Sequence, residues 1–273
     1  MDKPRSVQAA ILEDAPRLGL DDKFNFRCDA GLDCYTRCCA DVAIVLTPYD
    51  VLRMKRALGL SSSEFLERYT ISPFTPDQKV PTVLLKMDPV SKRCPFICQS
   101  GCSIYEHRPW ACRMYPLGLA SPDRPTPAER PFYFLIREEL CHGHGCGRTW
   151  SVREWVQDQG LEQYDMAGEA FKELMLDPGW DSPAPLDPRQ IDMYYMACYD
   201  LDRFRRFVFE SRLLASFEVD EARVEAMRTD DLELLHFAIA WLKFCLFHHQ
   251  TMKLKPAVAE ARREALRQAG MLK

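Results

Sequence analysis

Most of the motifs that would assign this 273-residue chain to a common enzyme or membrane class are missing. It has no P-loop, no HExxH pair and no Ser-His-Asp set. No C-x-x-C redox pair is present either, and Cys141-His142 lacks the earlier cysteine that haem attachment needs. The most apolar stretch, Leu232 to Phe247, is interrupted by Glu233, His236 and Lys243 and is too short to span a bilayer, so it predicts a buried core helix. A net charge of -4 gives no reason to expect nucleic acid or an anionic membrane as partner. The opening residues place acids and prolines where the apolar core of an export signal would sit, so the expected location is the cytoplasm.

The sequence is instead rich in cysteine. It holds 12, and ten of them lie between Cys28 and Cys146. In a reducing compartment, clustered thiols are metal ligands or redox groups rather than a disulfide framework, and a chain of this length needs no staples to fold. The charge is divided as well: residues 1–150 carry a net +2 and the remainder a net -6. Residues 177–188, with four prolines and a glycine, read as a linker or surface crossing.

Local signals divide the chain in the same way. In the first part, short strand-like runs (VAIVLT from Val42, TVLLKMD from Thr82, FYFLIRE from Phe132) are set between cysteines, with a proline-rich loop at 122–131. Thr47, Pro48 and Asp50 predict a helix ending near Gly59, and Ser61 with Glu64 a second. Ser151 with Glu154 opens a short amphipathic helix that ends at Gly160. Helices are then predicted over 164–176, 190–217, 230–249 and 256–268. The expected fold class is α+β and mostly α. A small irregular cysteine-rich metal-binding domain at 24–160, with short strands, precedes a helical region at 161–273.

The cysteines fall into Cys28-x5-Cys34-x3-Cys38-Cys39, Cys94-x3-Cys98-x3-Cys102-x9-Cys112, and Cys141 with Cys146. Thiolates are soft donors suited to zinc, copper(I) and iron-sulfur clusters. Successive side chains of an extended segment point to opposite sides, so Cys38 and Cys39 more easily serve two neighbouring sites than one. The run at Cys94, Cys98 and Cys102 is not the C-x3-C-x2-C of radical-SAM enzymes, and no βα series surrounds it. CHGHGCG lacks the βαβ context of a dinucleotide loop and predicts a turn.

The FRC…C…CC segment leading into VAIVLTPYDVLRM resembles the YkgJ-type cysteine-cluster family (CxxCxxCC-like), which is described as zinc- or iron-chelating. So do CPF…GCSIYEHRPWACRMYP and ELCHGHG…SVREWVQDQG. The resemblance covers roughly residues 24–160. It implies Cys28, Cys34, Cys38, Cys39, Cys94, Cys102, Cys112 and Cys141 as metal ligands, with Cys98 and Cys146 as extras. The family's usual C-x3-C-x2-C-C is here C-x5-C-x3-C-C, so two loops are longer. Eight cysteines suit two zinc ions, two [4Fe-4S] clusters or one of each. Arg108 and Arg113, flanking Trp110, are candidates to tune the thiolate charge, and His107, His142 and His144 are nearby imidazoles. Cys198 and Cys245 read as buried apolar residues.

Two functions follow. In the first, the chain holds iron, as an iron-sulfur cluster, or zinc in a structural, electron-transfer or metal-handling role, and its helical region offers a surface to a protein partner. The alternative is a metal- or cluster-dependent enzyme modifying a protein or peptide, similar to flagellin lysine methylases. No catalytic residue set is assigned.

Overall fold

The computed structural model describes residues 15–74, 78–120, 130–182 and 184–268. Most of the proline-rich loop expected at 122–131 lies outside them, as do the first fourteen residues. The fold is α+β with few short strands, and helices make up about 49% of it. No helix among the described residues is long and apolar enough to cross a membrane. Two compact units are present. One takes in the chain up to Ala57, Tyr69–Ile71 and Val83–Gly168, and the other Leu58–Arg68, Ser72–Thr82 and the chain from Glu169.

The first unit is held by four two-stranded antiparallel ladders. The strands are β1 (Lys23–Phe26), β2 (Thr70–Ile71), β3 (Leu84–Leu85), β4 (Ile97–Cys98), β5 (Gly101–Cys102), β6 (Leu117–Ala120), β7 (Phe132–Leu135) and β8 (His144–Ser151). Strand β1 pairs with β8, β2 with β3, β4 with β5 and β6 with β7. The β1–β8 register runs from Lys23↔Ser151 to Asn25↔Thr149 and then jumps to Phe26↔His144. Gly145 and Gly147, both at positive φ, supply the backbone that this bulge needs. The glycine-rich run predicted as a turn is therefore a turn at His142-Gly143 followed by a bulged strand.

Alternation along β1 buries Phe24 and Phe26, which join Met114, Leu117, Val152, Trp155, Val156 and Leu161 in one core. The run at Val42–Thr47 is extended but forms only an isolated bridge, Val45↔Leu84, because its partner β3 is two residues long. The helix α1 (Pro48–Leu58) then begins at once, and α2 (Ser62–Tyr69) follows it. Helix α3 (Trp110–Met114) is short, and α4 (Val152–Asp158) opens with the Ser151–Glu154 capping box.

Helix α5 (Leu161–Met175) starts three residues earlier than the sequence predicts. In the second unit the single helix predicted over 190–217 is three: α6 (Pro188–Cys198), α7 (Leu201–Glu210) and α8 (Leu213–Ser216). The break after Cys198 has a cause distant in sequence. Buried Asp200 accepts hydrogen bonds from the Ser62 hydroxyl at 2.6 Å and the Ser63 hydroxyl at 2.9 Å, and the Asp202 amide donates to Ser62 Oγ, so the chain reverses to satisfy a polar group. Helix α9 (Glu221–Thr229) is capped by Asp220 and has no strong apolar periodicity to announce it. Helix α10 (Asp231–Phe247) buries Leu234, Leu235, Ala238, Ile239 and Leu242, as its composition predicts, and α11 spans Pro256–Gln268.

Candidate metal centre

The eight cysteines of the predicted ligand set all lie in the first unit, held by turns rather than long elements. Cys28 follows β1, and a series of tight turns (Leu32 N–H to Asp29 O, Tyr35 N–H to Leu32 O, Arg37 N–H to Cys34 O) carries the chain past Cys34. Cys38 and Cys39 close a 3-10 turn, Arg37–Cys39. The Cys94 amide donates to the Cys39 carbonyl at 2.8 Å, which brings together two residues 55 positions apart. Cys102 sits on β5, Cys112 in α3, and Cys141 in a turn closed by its amide on the Glu138 carbonyl. A cavity of about 660 Å³ is lined by Cys28, Cys38, Cys39, Cys94, Cys102 and Cys112.

The interactions among these thiols form two groups that meet at the vicinal pair, where Cys38 and Cys39 also interact with each other. Burial pushes the Cys28 thiol up to about 11, with further contributions from Cys38, Cys141 and Cys34. Burial likewise pushes Cys112 up to about 12, helped by Cys94, Asp50 and Cys102. Cys39 feels Cys38, Cys112 and Cys94, and Cys94 feels Cys102. One neighbourhood is therefore Cys28, Cys34, Cys38 and Cys141; the other is Cys39, Cys94, Cys102 and Cys112. Cys39 donates a hydrogen bond to Cys38, which lowers the Cys38 thiol and raises its own.

Cations and carboxylates surround the two neighbourhoods unequally. Arg108, 7% exposed, lies over the Tyr105 ring at 3.6 Å, donates to Tyr105 O and Gln159 Oε1, and interacts with Cys112 and Cys102. Arg113 donates to the carbonyls of Arg108, Gln159 and Glu106 and so fastens the chain that runs to Cys112. The Cys38 side faces Glu138, and Cys28 faces Asp29. Fully buried Asp50 was not legible as part of this region. Its Oδ1 accepts the Trp110 amide at 2.8 Å, which fixes the start of α3 and hence Cys112. The Thr47-Pro48-Tyr49-Asp50 cap signal found the residue but not this second role.

The donor set fits a soft metal or cluster, and two further observations agree with that. All twelve cysteines are free. Tyr115 Oη, on the cavity wall beside Cys141 and Cys38, is buried without a hydrogen-bond partner of normal geometry, as is His144 Nε2 nearby. A metal-bound thiolate would supply the acceptor that the Tyr115 hydroxyl lacks.

The other cysteines are placed differently. Cys98 and Cys146 are exposed; the Ser100 hydroxyl and neighbouring amides hold Cys98 below the usual thiol range. Cys198 is fully buried in the second unit, and Cys245 is half-buried. His107 Nδ1 is buried without a partner, while exposed His142 hydrogen-bonds Asp33. Among the described residues, Asp33, Cys34 and His142 are the only three such groups with ligand atoms mutually within 4.8 Å; no three thiols approach one another that closely.

Residues 27–142 match the CxxCxxCC family, described as a "Putative zinc- or iron-chelating domain". That segment, somewhat under half of the chain, is similar to the family. The match takes in every cysteine from Cys28 to Cys141 and both arginines beside Trp110. The matched segment supplies most of the residues that line the cavity. No curated protein and no solved structure matches the chain.

Proposed function

We propose that residues 24–160 hold two adjacent four-thiolate centres, Cys28/Cys34/Cys38/Cys141 and Cys39/Cys94/Cys102/Cys112, occupied by iron-sulfur clusters that transfer electrons or handle metal. The observation that carries this reading is that six of the eight thiols line one cavity, with Cys34 and Cys141 interacting with Cys28 beside it. Sulfur spacing favours a cluster over zinc. A tetrahedral zinc ion about 2.3 Å from each thiolate draws neighbouring sulfurs to about 3.8 Å, closer than any three thiols stand here. A cubane, with a metal atom at each of four corners, keeps its cysteines farther apart. Free thiols throughout the chain agree with a cytoplasmic, reducing setting, and the helical region 161–273 is the surface offered to a protein partner.

The size of the cavity favours one further reading. At about 660 Å³ it falls in the range of small-molecule sites, leaving room beside a metal group for part of a substrate, as an enzyme acting on a protein or peptide would require. Anaerobic purification with iron, zinc and acid-labile sulfide analysis tests the main proposal. Broad absorption near about 400 nm that bleaches with dithionite, with iron and sulfide in equal amounts, is the expected result. Colourless protein with stoichiometric zinc overturns the cluster assignment. A change in the spectrum on adding a peptide substrate would favour the enzyme.

A further inference from the structure

We propose that Asp33, Cys34 and His142 form a surface loading site for a divalent borderline metal, iron(II), which hands the ion inward across Cys34. This inference rests on the reading of Cys34 as one of the interior ligands. The His142 Nδ1–Asp33 Oδ1 contact is 2.7 Å, the His142 amide donates to Cys34 Sγ at 3.3 Å, and all three ligand atoms lie mutually within 4.8 Å. The two outer groups are open to solution, with side chains 65% exposed at Asp33 and 48% at His142. Cys34 is only 7% exposed. It interacts in turn with Cys28, which lines the cavity together with Cys38.

Local geometry holds the three groups in register. The turns around Cys34 fix Asp33 and Cys34 together. His142 is set by Gly143, whose carbonyl accepts the Arg27 amide at 3.2 Å. A Cβ at Gly143 would meet the Arg27 carbonyl oxygen at 2.2 Å, so only glycine lets this turn lie against the end of β1.

The chemistry favours capture followed by release. One carboxylate and one thiolate neutralise a divalent ion, neutral imidazole adds a borderline donor, and three protein ligands leave a position for water. On binding, the metal replaces the Asp33–His142 hydrogen bond, the neutral imidazole carries its one proton on Nε2 with any other proton released to solvent, and Cys34 gives its proton to solvent. Transfer inward exchanges oxygen and nitrogen donors for the thiolates of Cys28 and Cys38, whose protons also pass to solvent, while Cys34 stays bound. Softer ligands at the inner site give the exchange its direction. The ligand exchange itself changes no oxidation state; sulfide and the electron balance of a cluster belong to a separate assembly step.

Cobalt(II) is a suitable probe because its thiolate charge-transfer absorption reports how many sulfurs are bound. The full chain, reduced and stripped of metal under anaerobic conditions, would be mixed with cobalt(II) in a stopped-flow instrument. Wild type is expected to show an early phase with one thiolate and then a stronger multi-thiolate phase. Asp33→Asn and His142→Gln, both at exposed positions, should abolish the early phase and slow the later one by about tenfold or more. Final cobalt content should be unchanged, and Asp33→Glu should restore the rate. Unchanged kinetics in both variants would overturn the loading site, as would a fall in final cobalt content with the rate intact, since His142 would then be a permanent ligand. Failure of wild type to bind cobalt would instead overturn the thiolate-centre reading on which this one depends.

Discussion

Replacing Asp50 with asparagine gives a pH signature that follows from its burial. The Asp50 carboxylate is 0% exposed, and its oxygens accept from the Thr47 amide, the Thr47 hydroxyl and the Trp110 amide, each at 2.8 Å. Burial nevertheless dominates and pushes its pKa from 3.8 up to about 6, against the pull of those hydrogen bonds and of Arg113. A carboxyl raised on folding binds its proton more tightly in the native state. Its contribution is fully present below the unfolded pKa, near 3.8, and is lost as pH rises through about 6. Two units correspond to about 3 kcal/mol, to order of magnitude.

The asparagine side chain in Asp50→Asn does not ionise, but its amide nitrogen cannot accept a hydrogen bond, so one of the three donors loses its acceptor at a cost of roughly 1–3 kcal/mol. At pH 4 Asp50→Asn is expected to be the less stable chain by about that amount. Between pH 4 and pH 7 the wild type then loses about 2 kcal/mol relative to the variant, closing or reversing the gap. Urea denaturation of both proteins at four pH values, with matched metal content, measures this directly. A stability difference that stays constant from pH 4 to pH 7 would refute the argument that Asp50 is ionised in a dry site.

Other substitutions probe separate parts of the account. Arg113→Met leaves the carbonyls of Arg108, Gln159 and Glu106 without their donor, at about 1–3 kcal/mol for each that stays buried and unpaired; a loss below about 1 kcal/mol in denaturant would contradict the clamp. Tyr115→Phe should change the stability of metal-free protein by less than about 1 kcal/mol, because its hydroxyl has no well-formed partner there. In the loaded protein the same change removes a donor to thiolate and should lower the reduction potential; a redox titration that superimposes on wild type would exclude that hydrogen bond. Cys198→Ala should lower stability by about 1 kcal/mol through loss of a buried sulfur while metal content stays at the wild-type value. A parallel loss of metal would contradict its placement in the helical core.

The parts of the fold set by short-range chemistry were legible before the structure. The Ser151–Glu154 box opens α4, Pro48 opens α1 and the apolar run after Asp230 forms α10, because capping and periodicity act within a few residues. The break of the 190–217 segment was not legible, since it depends on Asp200 meeting Ser62, 138 positions away. Similarly, counting cysteines located the metal-chelating region but could not say which thiols are neighbours. Contacts such as Cys94 N–H to Cys39 O are made by turns that leave no periodic trace. Asp50 carried only a cap signal and Asp33 none; their nearness to thiols appears once distant loops are folded together.

Measuring iron and sulfide in Cys38→Ser and Cys39→Ser, each purified anaerobically beside wild type, tests the division of the centre most directly. With two [4Fe-4S] clusters, wild type should carry about eight irons per chain and each single variant about four. The two half-loaded proteins should have different spectra, because Arg108 lies by one set and Glu138 by the other. The double variant should carry almost none. If either single substitution empties the chain, or if both leave the same half-occupied spectrum, the eight thiols form one centre and the partition at Cys38-Cys39 is wrong.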